Sequence, residues 1–136
     1  MELILLRHGK TAANLENRYN GVTDDPLCDT GLREAHAAKS YPDIPLAYVS
    51  PLTRARQTAG ICFPNAEQLV VDGLREMNFG DFEGRTAQEM EHDADYRAWV
   101  DGGCMTACPN GESIPSFAER AKAAFDATVK DASARG

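Results

Sequence analysis

The sequence predicts an α/β fold, and three observations predict it. Strand-like and helix-like segments alternate along the chain. The first strand-like segment is a continuous apolar run, the mark of a strand covered on both faces, as strands of parallel sheets are. The length of 136 residues fits one compact domain, and 43% hydrophobic with 26% charged residues is ordinary globular usage. That composition excludes a disordered or low-complexity chain.

The elements follow in order. The first strand is placed at Glu2–Leu6, the second at Leu46–Val49 before Ser50 and Pro51, and the third at Gln68–Val71 before Asp72 and Gly73. Thr30 is placed as the cap of a helix from Gly31 to about Ser40, stopped by Pro42. Ser50 is placed as the next cap, with Pro51 in the first turn and the helix reaching Cys62. Short helices are expected at Thr86–Glu91 and Asp95–Val100, then a loop from Gly102 to Gly111. Ile114, Phe117, Ala118, Ala121, Phe125 and Val129 recur at helical spacing and define an apolar face on a last helix. Either Ser113 or Ser116 could cap it, and Ser116 with Glu119 has the form of a capping box. One domain, 1–136, without repeat or linker, accounts for the whole pattern.

Charge and motifs exclude several function classes. The net charge is −7 and the 14 basic residues form no dense cluster, so a phosphate-tracking nucleic-acid surface is not expected. No apolar run reaches the length of a membrane span, and MELILL runs into Arg7 and His8 without a cleavage signal. A cytoplasmic protein with reduced Cys28, Cys62, Cys104 and Cys108 is the expectation. Cys104 and Cys108 lack the partners of a zinc site. No metal and no cofactor are expected.

Three clusters can do chemistry, each just after a strand, where parallel sheets bind ligands. Arg7-His8-Gly9 offers a cation, an imidazole and a close-approach backbone. Arg54 follows the second strand in the first turn of its helix, whose N-terminus already favours anions, while Arg56 should face elsewhere. Glu76 follows the third strand in a loop rich in glycine and aromatics that can desolvate a carboxyl, as a general acid requires. Glu83, Asp81 and Asp72 compete with it for that role. Together the clusters suit phosphoryl transfer: a neutral histidine as nucleophile, arginines on the phosphoryl oxygens, and an acid for the leaving oxygen.

Arg7-His8-Gly9-x-Thr11, with Asn14, Gly21, Asp25-Pro26-Leu27 and Thr30-Gly31, resembles the opening of the histidine phosphatase superfamily. Ser50-Pro51-Leu52-x-Arg54-Ala55-x-x-Thr58-Ala59 resembles its second block. Leu74-x-Glu76 with Phe79-Gly80 and Phe82-Glu83-Gly84 resembles its third, and Gly111-Glu112-Ser113 with Arg120 its fourth. The resemblance implies a three-layer α/β/α fold with a mostly parallel sheet of the phosphoglycerate mutase-like type. It also implies a metal-independent phosphomonoesterase acting on a small phosphorylated substrate. His8 would be the phosphohistidine nucleophile, Arg7 and Arg54 the phosphoryl clamp, and Glu76 the proton donor. Asn14 would help hold phosphate, and Asn20 and Gly21 would line the substrate mouth. The short spacings between blocks resemble the compact phosphatases, among them the α-ribazole phosphatases. The alternatives are a phosphoglycerate mutase-type phosphotransferase and an inactive fold that binds phosphorylated ligands.

The chain departs from the family in one respect. The family carries a second catalytic histidine after a further strand that lies between the first two strands of the sheet. His36 and His92, the only other histidines here, are expected to be solvated helix residues. The expectation is therefore an N-terminal part of a longer domain, with the fold incomplete at the C-terminus. Its first two strands would be parted, leaving unpaired edges and exposed apolar side chains.

Overall fold

A computed structural model describes residues 1–136. Helices α1 (Ala12–Leu15) and α2 (Asp29–Ala37) precede strand β1 (Leu46–Val49) and helix α3 (Thr53–Cys62). Strand β2 (Glu67–Val70), 3-10 turns at Asp72–Leu74 and Gly80–Phe82, α4 (Ala94–Asp101) and α5 (Ile114–Arg135) follow. β1 and β2 pair in parallel with Leu46 opposite Glu67 and Val49 opposite Val70. The crossover between them is α3, as parallel strands require. β2 begins one residue earlier than expected.

The first expected strand is the main correction. Glu2–Leu6 belongs to no sheet, because the only sheet is the β1–β2 pair. Leu3 and Leu5 are 50% and 75% exposed. An apolar run becomes a buried strand only when edges on either side accept its backbone groups, and here neither does. Between this segment, β1 and α5 lies a largely apolar slot of about 470 Å³. Glu2–Leu6 and β1 therefore share no strand pairing, and Leu3, Leu5 and Leu6 stay exposed.

Local capping explains the shifted helix boundaries. α2 starts from Cys28, whose Sγ accepts from Gly31 N, because Cys28 N is already fixed on Lys10 O at 3.0 Å; Thr30 falls inside the first turn. α3 starts at Thr53 rather than Pro51, since the Asp24 carboxylate accepts from Thr53 N at 2.6 Å and from its hydroxyl at 2.9 Å. Ser50 instead accepts from Leu52 N within its own turn. Thr86 and Glu89 bond each other reciprocally, but the segment stays a series of turns, because Asp93 restarts the chain as the cap of α4. His92 therefore sits exposed on a turn and not in a helix, while His36 is exposed in α2 as expected. Ser113 caps α5 in a reciprocal box with Ser116.

Two apolar clusters make the core. Met77, Phe82, Met90, Tyr96, Trp99 and Cys108 form one, with Phe82 edge-on to Tyr96 at 5.3 Å between ring centroids. Val49, Ala59, Cys62 and Phe63 form the other, joining β1 to α3. The expected apolar face of α5 is only half covered: Phe117, Ala121, Phe125 and Val129 are half-buried, and Ile114 and Ala118 are exposed. Phe125 looks into the slot, which is why its face stays open. All four cysteines are free.

Candidate active site

Residues 7–9 are held against α3 by one hydroxyl. Thr58 Oγ1 accepts from Gly9 N at 3.0 Å and donates to Arg54 O at 2.8 Å, so the turn carrying His8 and the helix carrying Arg54 share an anchor. His8 is half-buried, and its Nδ1 lies 2.6 Å from Gly9 O. A carbonyl can only accept, so Nδ1 carries the hydrogen and the lone pair of the neutral ring sits on Nε2. Burial lowers the His8 pKa from its ordinary value. The Gly9 carbonyl opposes that shift, while the Arg54 and Arg7 charges add to it. Burial thus favours the neutral form of the ring.

Arg54 is 1% exposed, an unusual burial for a cation. Its guanidinium donates to Thr23 O at 2.9 Å, to Gly21 O and to Asn20 O. Desolvation lowers its pKa, with Glu76, Glu83, Asp24 and Asp25 opposing; an arginine nonetheless stays charged. Three of its five N–H bonds are committed to the 20–23 loop. The Nε–H and one Nη1–H make no hydrogen bond within the chain.

Glu76 is half-buried, and its Oε1 accepts from Met77 N at 2.8 Å, which leaves Oε2 free. The backbone around it is pinned by Arg120 of α5. That guanidinium donates to Gly73 O, Arg75 O and Glu76 O, and in fork geometry to the two oxygens of Glu112 at 3.0 and 2.8 Å. Glu112 also accepts from Asn78 N. The Arg120 bonds hold the Glu112 carboxyl below its ordinary pKa.

His8, Arg54 and Glu76 line one cavity of about 160 Å³, together with Arg75. Arg75 is a second cation there that sequence reasoning passed over, although it stands beside Glu76 in the same cluster. Arg7 is exposed and borders the neighbouring slot, so only its charge reaches His8. Asn14, Asn20 and Gly21 do not line this cavity. Asn14 Oδ1 accepts from Thr11 N and its hydroxyl, and its amide group makes no hydrogen bond within the chain. Asn20 Nδ2 donates to Thr11, while its Oδ1 is buried with no partner. Gly21 is buried under Arg54, and a Cβ there would stand 1.8 Å from Met77 O. Asp24 was also missed, because its capping target lies 29 residues further along the chain. No helix is long and apolar enough to cross a membrane.

Comparisons with known proteins fit this geometry. Residues 3–135 match the profile of the histidine phosphatase superfamily (branch 1). The adenosylcobalamin/alpha-ribazole phosphatase of Salmonella typhimurium is 34% identical over 127 residues, which cover 88% of this chain and 63% of that protein. The alpha-ribazole phosphatase structure from Shigella flexneri superimposes with a TM-score of 0.81 at 31% identity, over 94% of this chain and 66% of that one. A phosphoglycerate mutase structure from Thermus thermophilus gives 0.67 at 34%, over 84% and 64%. The chain spans about two thirds or slightly less of the length of such relatives. A profile that runs from the unpaired first segment to the end of α5, across all three clusters, leaves one assignment: the chain belongs to the histidine phosphatase superfamily.

Proposed function

We propose that this protein hydrolyses small phosphomonoesters through a phosphohistidine on His8. The observation that carries the proposal is the shared cavity of His8, Arg54 and Glu76, with the His8 lone pair on Nε2. Nε2 attacks phosphorus and the bond to the ester oxygen breaks. Glu76 gives its proton to that leaving oxygen and becomes a carboxylate. Arg54, through its two uncommitted N–H bonds, and the charges of Arg7 and Arg75 stabilise the equatorial oxygens. Water then attacks the phosphohistidine and gives its proton to Glu76, so phosphate leaves and Nε2 regains its lone pair. Asn20 and Gly21 act from outside the cavity, through the carbonyls they turn to Arg54. No metal or cofactor takes part in these steps, and the substrate is a small phosphorylated metabolite. A cytoplasmic location accords with this.

A mutase-type reaction is the second reading, favoured by the likeness to the Thermus thermophilus mutase. Incubation with phosphomonoesters separates the two: a phosphatase releases free phosphate, whereas a mutase moves it between hydroxyls and releases little. His8→Ala abolishes turnover under either reading, and unchanged turnover would overturn both.

A further inference from the structure

We propose that Glu83 is the positioning residue that shapes the carbonyl cradle of Arg54; the inference rests on the proposed role of Arg54 as phosphoryl clamp. Arg54 does not meet a carboxylate in this structure. It meets three backbone carbonyls, of Asn20, Gly21 and Thr23, on one short loop. Carbonyls converge on a cation in that way only if their own loop is folded from behind, and Glu83 stands behind it.

The Glu83 carboxylate is bonded on both oxygens. Oε1 accepts from Val22 N at 2.7 Å and from Phe79 N at 3.3 Å. Oε2 accepts from Gly21 N at 2.9 Å and from the Thr23 hydroxyl at 3.2 Å. All four partners are donors, so the site is built for an acceptor-only group. The 20–21 and 21–22 peptide planes thus turn their N–H groups to Glu83 and their carbonyls, those of Asn20 and Gly21, to Arg54, while Glu83 holds Thr23 by its hydroxyl. Gly21 lets the loop close: an added Cβ would lie 2.7 Å from Glu83 Oε1 and 2.8 Å from Phe79 Cδ2 as well as against Met77 O. The Glu83 charge also acts favourably on the Arg54 guanidinium. Glu83 thereby links the Gly80–Phe82 turn to the phosphoryl clamp without entering the cavity.

Glu83→Gln is the decisive variant, because its amide would turn two hydrogens towards N–H donors while keeping size and shape. The probe is inorganic phosphate, titrated into the full chain at a temperature where wild type and variant show the same circular dichroism. Glu83→Gln is expected to weaken phosphate binding at least tenfold and to broaden the Arg54 Nε–H resonance. Combined with Arg54→Ala, it should add nothing to the loss caused by Arg54→Ala alone, since Glu83 acts through that side chain. Independent, additive losses would overturn the inference, as would unchanged affinity with an unchanged Arg54 resonance. If wild type binds no phosphate, the clamp reading fails, and the Arg54 resonance alone still decides the positioning role. Should Glu83→Gln not fold, Thr23→Val removes one donor of the four and must move that resonance in the same direction; no movement would overturn the inference.

Discussion

Arg120→Met isolates the contact that holds the proposed acid in place. The substitution keeps an aliphatic stem on α5 and removes a guanidinium with five bonds: two to Glu112 and three to the carbonyls of Gly73, Arg75 and Glu76. Removing one partner of a fully buried pair costs about 3–5 kcal/mol. The Arg120 and Glu112 side chains are 20% and 22% exposed, so solvent recovers part of that and about 2–3 kcal/mol remains. Linkage adds a signature in pH. The Glu112 pKa is depressed in the folded chain, chiefly by the Arg120 bonds. Its contribution is therefore present above the ordinary value of 4.5 and is lost as pH falls through the folded-state value. Urea unfolding of both proteins, at neutral pH and again below that ordinary value, measures both effects. Wild type should lose its advantage on the acid side, and the gap between the curves should shrink there. A neutral-pH difference below about 1 kcal/mol, the ordinary value of an exposed pair, would refute the reasoning, as would a gap independent of pH.

The other predictions are local. The His8 ring should titrate in NMR below the ordinary 6.5, because burial disfavours its charged form. Its contribution to stability is thus complete above 6.5 and is lost as pH falls towards the lowered value; a midpoint at or above 6.5 would contradict the burial. Arg54→Met should raise that midpoint, since a neighbouring positive charge is removed. Gly21→Ala should destabilise by roughly 1–3 kcal/mol, the usual cost of overpacking, because its Cβ would press on Met77 O. Chemical denaturation with no change at that position would contradict the close packing of the loop.

The α/β class with its parallel pairing, and the gathering of His8, Arg54 and Glu76 around one cavity, were legible in the sequence; the extent of the sheet was not. Arg7-His8, Arg54 and Glu76 each stand at a segment end where an α/β layout gathers polar groups, and two short motifs with a strand before them carry that information locally. What the sequence hides is long-range. The apolar run Glu2–Leu6 reads as a buried strand, but burial depends on neighbours, and Leu5 is 75% exposed. Ser50 and Thr30 look like caps from their own neighbourhoods. The caps used are Asp24, reaching α3 from a distant loop, and Cys28, fixed by Lys10. Glu83 appears in the sequence only as one acid among several; its four donors come from two separate segments. The motifs pair Arg7 with Arg54 as a clamp, yet only Arg54 shares the cavity with His8.

The central claim is that the Nε2 lone pair of His8 takes the phosphoryl group. The direct measurement is to mix the chain with a phosphomonoester, quench in alkali, and locate bound phosphate by peptide mass mapping. The account predicts an acid-labile phosphate on His8 that disappears in His8→Ala. Phosphate on another residue, or labelling that persists in His8→Ala, would contradict it.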